Sequence, residues 1–129
     1  MASILKVDDL RGNTAAGNIT ITSEGGAATM QLQKGLAKAW IYFNASSPSI
    51  VGSFNVSSLS DDGTGQHTMT ITNVLNNSTD LSVQVSSNAY HTTQSSDPTT
   101  STFQLYSIHS TNSAIDAGRN YITVFGDQA

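Results

Sequence analysis

The side chains that could bind a metal ion are few in this sequence, and they do not lie at the spacings that a metal site requires. Each of the three histidines, His67, His91 and His109, lacks a second His, Asp or Glu at the i+2 or i+4 offset of a local zinc site. The acidic sequence at residues 61–65 lacks the ligand spacing and the distal Glu of a calcium loop, and it indicates a turn. The absence of cysteine excludes thiolate ligands and disulfides. We therefore expect no metal and no other cofactor.

The carboxylates and hydroxyls do not form a recognisable catalytic motif. Glycoside hydrolysis needs two carboxylates roughly 5–10 Å apart in a cleft, whereas Glu24 lies in a glycine-rich turn sequence and the aspartates lie mostly in turns. The sequence has no Gly-x-Ser-x-Gly nucleophile elbow and no Gly-x-x-x-x-Gly-Lys phosphate loop. We therefore predict that the protein is not an enzyme.

The polar stretch at residues 88–98 is where we expect binding chemistry, because loops carry function on β scaffolds. Tyr90 and His91 stand near its start, and aromatic side chains among polar ones are a combination that binds sugars. These two residues are the candidate receptor-binding residues. The alternative is structural, with Tyr90 ending a strand and its ring packed on the rim of the core.

The composition argues against several classes of protein. The chain has 129 residues and a net charge of −4, and its five basic residues are scattered, so we expect no nucleic-acid binding. Ser, Thr, Asn and Gln make up 52 of the 129 residues, which suits β-structure with Thr-rich exposed faces. No apolar run approaches the roughly 20 residues of a membrane helix, so we expect no membrane insertion. Residues 1–17 lack the apolar stretch of a signal peptide, and we expect synthesis in a cytoplasm.

Alternating apolar and polar residues predict an all-β protein. Residues 36–129 contain six or seven strand patterns separated by polar turns, at the intervals of an antiparallel β-sandwich or knob. Long loops are predicted at residues 88–100 and 109–120, and residues 113–119 could form one helical turn at most. The predicted strands are residues 38–43, 54–60, 67–72, 81–86, 102–108 and 121–125.

A short N-terminal segment, residues 1–35 and hereafter the leader, differs from the rest of the chain. It is rich in glycine and contains two short strand patterns, residues 18–22 and 28–33, joined by a hairpin turn at residues 23–26. Its few large apolar residues cannot offset the entropy of ordering the backbone, roughly 1–2 kcal/mol per residue. We therefore predict an extended anchoring and oligomerisation segment that lies against the rest of the chain or against other copies. Its candidate interface residues are Ile4, Val7, Ile19, Ile21 and Leu32.

The most apolar stretch, residues 38–43, carries large apolar side chains on both faces. Trp40 and Tyr42 point to one face of a strand, and Ile41 and Phe43 point to the other. A strand that is apolar on both faces is buried on both. The second face is covered either by a partner subunit or by the leader. In the first case Trp40 and Tyr42 belong to the oligomer interface.

Several segments resemble bacteriophage tail-fibre-like proteins. The Leu-Lys-Val-Asp-x-Ile/Leu-Arg opening of that family resembles residues 3–11, and its Lys-Ala-Trp-[apolar]-x-Phe-Asn motif resembles residues 35–44. The following Ser-Phe-Asn-Val-Ser-Ser-[Ile/Leu]-x-Asp-x-Gly-Thr-Gly run is similar to residues 53–65. Residues 67–72 and 121–126 resemble the Tyr-Thr-Val-x-Phe strand and the terminal strand of the family.

The resemblance implies a virion structural protein of a tailed phage, a homotrimeric fibre whose C-terminal β-domain is a knob that contacts the host surface. Only the leader precedes the knob here, which points to a short fibre or a small appendage. The expected partners are identical copies, other tail or capsid proteins and a host surface glycan. The alternatives are a capsid decoration protein of the head, of similar build, and a non-catalytic carbohydrate-binding module. The expected location is the virion, after synthesis in the host cytoplasm.

Overall fold

The structure is a computed structural model that divides the chain into two compact units, Met1–Leu36 and Ala37–Ala129. The part of the chain that it describes contains ten strands and one short helix. All strands pair antiparallel, which confirms the predicted all-β class. No helix of that part is long and apolar enough to cross a membrane. The described residues are 4–15, 19–23, 25–94 and 96–129.

The first unit contains the predicted hairpin. Strand β1 (Thr20–Thr22) pairs with β2 (Thr29–Gln31), and this register sets Ile21 opposite Met30. The chain reverses at a turn in which Gly26 has a φ of 71°, a left-handed conformation that glycine adopts without steric cost. Both strands are shorter than their sequence patterns.

A helical turn follows the hairpin, so the prediction of a strand through residue 33 is wrong. Helix α1 (Leu32–Gly35) begins directly after β2. The Leu32 N–H donates to the carbonyl of Ile19 at 2.8 Å, and the Leu36 N–H then donates to the carbonyl of Gln33. The first of these bonds still crosses the hairpin, and the second is local, so the backbone leaves the ladder after Leu32. Residues 113–119, the helical turn that the sequence allowed, form no helix.

The second unit contains eight strands in two four-stranded sheets. The first sheet has the order β4-β3-β10-β7, and the second has the order β5-β6-β9-β8. In chain order these strands are β3 (Ala37–Asn44), β4 (Ser49–Phe54), β5 (Val56–Gly63), β6 (Gln66–Ile71), β7 (Leu81–Ser87), β8 (His91–Gln94), β9 (Thr102–Ile108) and β10 (Asn120–Gly126).

Both sheets contribute to one buried apolar cluster. On the central strands every second side chain points inward, as the pleat requires. Each of these inward side chains is at most 3% exposed. The cluster contains Ala39, Ile41, Phe43, Ile122 and Val124 from the first sheet, and Met69, Ile71, Phe103 and Leu105 from the second.

Two strands were not predicted, and one prediction joined two strands. Residues 54–60 do not form a single strand, because Phe54 ends β4 in the first sheet and Val56 begins β5 in the second. Strand β4 was missed, and β8 lies inside the segment 88–100 that we predicted to be a loop. The count is therefore eight strands rather than six or seven.

The link between β4 in the first sheet and β5 in the second is one residue long, and that residue is Asn55. Its φ of 55° turns the backbone sharply, and Asn tolerates this conformation better than most residues. Its Nδ2 donates to the carbonyls of Lys38 and Asn73 at 2.9 and 3.1 Å, and its Oδ1 accepts from the N–H of Asn73 at 2.8 Å. The side chain therefore joins β3 to the segment that follows β6.

Candidate functional site

A cleft of about 300 Å³ lies in the second unit, between the segment that leads into β8 and the segment that connects β9 to β10. Asn88 and Tyr90 line it on one side, and His109, Ile115 and Asp116 line it on the other. The cleft therefore combines an aromatic ring with an amide, an imidazole and a carboxylate. A small number of polar groups that converge on one cavity is typical of a binding site for a small ligand.

Side-chain hydrogen bonds hold the two walls of the cleft in place. The buried Nδ2 of Asn120 donates to the carbonyl of Ala117 at 2.6 Å, and its Oδ1 accepts from the hydroxyl of Ser107 at 3.3 Å. Asn88 is bonded twice to Arg119: its N–H donates to the carbonyl at 3.0 Å, and its Oδ1 accepts from the N–H at 2.9 Å. The walls are thus positioned before any ligand binds.

The turn between β5 and β6 positions the carboxylate of the cleft. The N–H of Gly65 donates to Oδ1 of Asp116 at 2.6 Å, and its carbonyl accepts from the N–H of Ser107 at 2.9 Å. Gly65 has a φ of 75°, and a Cβ there would lie 2.6 Å from the carbonyl oxygen of Ser107, so a larger residue does not fit. Within the described residues, Oδ2 of Asp116 accepts no hydrogen bond.

The hydrogen bonds of His109 fix the positions of its donor and acceptor. Nδ1 accepts from the N–H of Thr111 at 3.4 Å, and the hydroxyl of Ser110 lies 3.2 Å from the same nitrogen. A backbone N–H only donates, so Nδ1 carries no proton in this arrangement. With Nδ1 as the acceptor, the tautomer assigned from these bonds has its proton on Nε2, which is a hydrogen-bond donor.

Tyr90, the predicted receptor-binding residue, lies on the surface of the cleft. Its side chain is 69% exposed, so the ring is not packed on the rim of the core as the structural alternative required. The ring meets that of His91 edge to face, with centroids 5.0 Å apart and planes at 79°. The N–H of Tyr90 donates to the carbonyl of Ile108 at 3.1 Å, which attaches it to β9. His91 contacts Tyr90 but is not one of the described lining residues.

A second feature is an aromatic patch on the outer side of the first sheet, formed by Trp40, Tyr42, Phe54 and Tyr121 and hereafter the aromatic face. Trp40 pairs with Phe54, and Tyr42 pairs with Tyr121, whose ring stacks on it at 4.8 Å and 15°. A Cβ at Gly52 would lie 3.5 Å from the indole of Trp40, so the indole lies over that glycine. Trp40, Phe54 and Tyr121 remain 41%, 54% and 41% exposed.

The predicted interface residues of the leader divide into two groups. Ile4, Val7 and Ile21 are exposed, at 80%, 54% and 43%. Ile19 and Leu32 are half-buried, and a backbone hydrogen bond joins them. None of the described residues from 4 to 36 is buried.

The other titratable side chains of the described residues bear on metal binding and on hydrolysis. They contain no group of three His, Asp or Glu side chains that could hold a metal ion. His67 is fully buried in the core, and its ring centroid lies 5.3 Å from that of Phe43. Its ring is therefore not exposed as a ligand at the surface. Among the described residues that line the cleft, Asp116 is the single carboxylate, so this cleft does not supply the pair that glycoside hydrolysis needs.

Three polar residues of the cleft were not predicted as site residues, namely Asn88, His109 and Asp116. They come from two segments about 20 or more residues apart, and the pairings of β8 with β9 and of β7 with β10 bring these segments together. The one signal in the sequence that could have indicated these residues was the polar composition of both loops. Comparisons with protein-family models, with curated proteins and with solved structures returned no match to this chain.

Proposed function

We propose that this protein is a structural component of a tailed-phage virion, a homotrimeric short fibre or appendage. The leader assembles with other copies, and the second unit presents its loops outward. The observation that carries this proposal is the exposure of the leader's large apolar residues in the single chain, where Ile4, Leu5 and Met30 are 80%, 77% and 62% exposed. Together with the resemblance of residues 35–65 to tail-fibre-like sequences, this supports an assembled particle protein.

The energetics favour assembly through the leader. Burial of one large apolar side chain contributes roughly 1.5–3 kcal/mol. The leader exposes several such residues and buries none of those that the structure describes, so its folding gains little of this energy in a lone chain. Association of three leaders would bury the same residues in each copy, so the trimer would gain this free energy of burial from each of its three chains.

The second unit forms the knob of the proposed fibre, as a β-sandwich in which the two four-stranded sheets face each other. The support is the single apolar cluster, to which both sheets contribute. In the trimer the aromatic face meets the neighbouring subunit. Its support is composition, because aromatic residues are enriched in the buried centres of interfaces, and Trp40 and Tyr121 are each 41% exposed.

A carbohydrate-binding module is the second candidate function, and one observation favours it. The cleft has an exposed tyrosine beside an amide, an imidazole and a carboxylate. Such a module would act as a monomer, so the oligomeric state separates the two functions.

Sedimentation equilibrium tests the proposal. We expect three times the chain mass for the wild-type protein. The double variant I21D/M30D places charges on the paired apolar residues of the hairpin, and we expect it to be a monomer with an unchanged far-UV spectrum. The matched control is T22D, since Thr22 is exposed on the other side of β1, and it should remain a trimer. A wild-type monomer throughout the concentration series would overturn the proposal.

Imaging tests the virion part of the proposal. Gold-labelled antibody against the second unit should decorate particles from the producing host, and the position of the label separates a tail fibre from a head decoration protein. Particles without label, in a lysate where the antibody detects free protein, would contradict it.

A further inference from the structure

We propose that the cleft binds one uncharged sugar ring, stacked on Tyr90 and hydrogen-bonded by Asn88, His109 and Asp116. This deepens the proposed outward presentation of the loops of the second unit and rests on the proposed function only for its biological setting. It does not depend on assembly, because every residue that it uses belongs to one chain.

The size of the cleft selects a small ligand. Small-molecule sites span roughly 300–1,000 Å³, and a cleft of about 300 Å³ lies at the lower end of that range. One sugar ring fits a volume of this order, and a long oligosaccharide would have to extend out of the cleft.

Tyr90 supplies the stacking surface. Its ring is 69% exposed, and the edge-to-face contact with His91 holds it from one side. The backbone on both sides of the ring is fixed, since the N–H of Tyr90 donates to Ile108 and the next residue begins β8. The face of an aromatic ring is electronegative, and the axial C–H groups of a pyranose carry the complementary partial charge.

The polar groups of the cleft match sugar hydroxyls, which both donate and accept. Oδ1 of Asn88 is already bonded to Arg119, so the Nδ2 group of Asn88 is the group left to donate to a ligand. Nε2–H of His109 is a second donor, because Nδ1 accepts from Thr111. Oδ2 of Asp116 is the acceptor, because Oδ1 accepts from Gly65. The cleft thus offers two donors and one charged acceptor in fixed positions.

The charge of the cleft determines which sugars it accepts. Among its described lining residues there is one carboxylate and no Lys or Arg. An acidic sugar would place a second negative charge beside Asp116, where no described lining residue is a Lys or Arg, and juxtaposed like charges disfavour binding. The cleft therefore favours neutral sugars over uronic acids and over phosphorylated or sialylated sugars.

Titration of the ¹⁵N-labelled protein with galactose, glucose, mannose and N-acetylglucosamine tests the proposal, with galacturonate as the acidic counterpart of galactose. We expect at least one neutral sugar to shift the amide signals of residues 88–90 and 109–118, and galacturonate to bind at least about tenfold more weakly, a difference of about 1.4 kcal/mol. Y90A should weaken binding by about tenfold or more. D116N should bring the affinities for galactose and galacturonate closer together, which a merely structural carboxylate would not do.

The control variant is Y121A, which removes an exposed ring of the aromatic face and should leave sugar binding unchanged. The dispersion of each variant's spectrum shows that it is folded. Three results would overturn the proposal: no shift with any neutral sugar at saturating concentration, equal binding of galactose and galacturonate by the wild type, or loss of binding in Y121A but not in Y90A. Assembly without sugar binding would refute this inference alone, and sugar binding by a monomer would refute the trimer alone.

Discussion

Asp62 shows how the backbone of one residue determines the chemistry of its side chain. The register of β5 shifts between Asp61 and Gly63, and such a bulge redirects a side chain. The Asp62 carboxylate consequently accepts hydrogen bonds from Ser60, Thr68 and Gln104. Desolvation raises the pKa of Asp62, but these three hydrogen bonds, helped by the charge of His67, outweigh it, so the pKa lies below its ordinary value.

This lowered pKa predicts how stability depends on pH. A carboxyl whose pKa is lower in the folded state stabilises the fold above its unfolded value of about 3.9, and the contribution is lost as the pH falls through the folded pKa. Because the side chain is exposed, we expect less than about 1 kcal/mol. D62N should therefore lower the free energy of unfolding at pH 7 and lose less stability between pH 4 and pH 2 than the wild type.

Urea titrations at a series of pH values measure this effect. T68V, which removes one of the three donors and keeps a β-branched residue in the strand, should show part of it. An identical pH slope for D62N and the wild type would contradict the prediction.

The candidate site was predictable from the sequence in only one respect at the residue scale. Tyr90 was singled out because loops carry function on β scaffolds and an aromatic side chain among polar ones can bind a sugar, with packing on the rim of the core as the alternative. Asp116 was not, because its position depends on the N–H of Gly65, which is 51 residues away in the sequence. No local pattern encodes such a contact.

Strands in the middle of a sheet were predicted well, and so was the edge strand β7, whose apolar side chains pack against the core, but the edge strands β4 and β8 were missed. β6, β9 and β10 alternate clearly because one face of each is buried in the core. β4 and β8 lie at the edges of their sheets, where a strand has one neighbour and less buried surface, so their sequences need not alternate. The four residues of β8 are all polar, and only their pairing with β9 makes them a strand.

The sequence pattern concealed the one-residue link at Asn55 between β4 and β5, hereafter the corner, where the chain passes from one sheet to the other. Apolar and polar residues continue to alternate across it, so residues 54–60 look like one strand. The positive φ of Asn55 and its three side-chain hydrogen bonds separate β4 from β5.

Substitution of Asn55 should separate strain from hydrogen bonding. N55A loses the three bonds and places in the left-handed conformation a residue that tolerates it less well than Asn, so we expect a loss of about 2–4 kcal/mol in the free energy of unfolding. N55G loses the same bonds without the strain, and we expect it to be about 1 kcal/mol more stable than N55A. Chemical denaturation measures both values. Less than about 1 kcal/mol for N55A would show that the corner does not need this side chain.

At the scale of the whole molecule, apolar exposure is distributed unevenly between the two units. The second unit has a buried cluster drawn from two sheets, whereas no described residue of the first unit is buried. Composition predicted this contrast, because the leader contains many glycines and few large apolar residues. The sequence left two surfaces open for the leader, the rest of the chain and other copies, because the leader's few apolar residues do not distinguish between them.

Trypsin should detect the assembly of the leader. In the second unit Lys38 is 6% exposed, and the backbone of Arg119 is bonded on both sides to Asn88, so we expect slow cleavage there. If the leader is buried in a trimer, Lys34 should also resist cleavage in the wild type, whereas I21D/M30D should be cut rapidly to a stable fragment that begins at Gly35. T22D is the control and should behave as the wild type. Equal cleavage rates at Lys34 in wild type and I21D/M30D would count against a buried leader.

The corner at Asn55 also bears on how the protein has to be made. Asn55, Val56 and Ser57 form an acceptor tripeptide for N-glycosylation, and the Nδ2 atom that would receive the oligosaccharide is the one that donates to Lys38 and Asn73. A glycan attached to this nitrogen would replace one of its two N–H groups, so at most one of these two donated hydrogen bonds could form. Expression in bacterial cytoplasm, which adds no such glycan, should leave the corner intact.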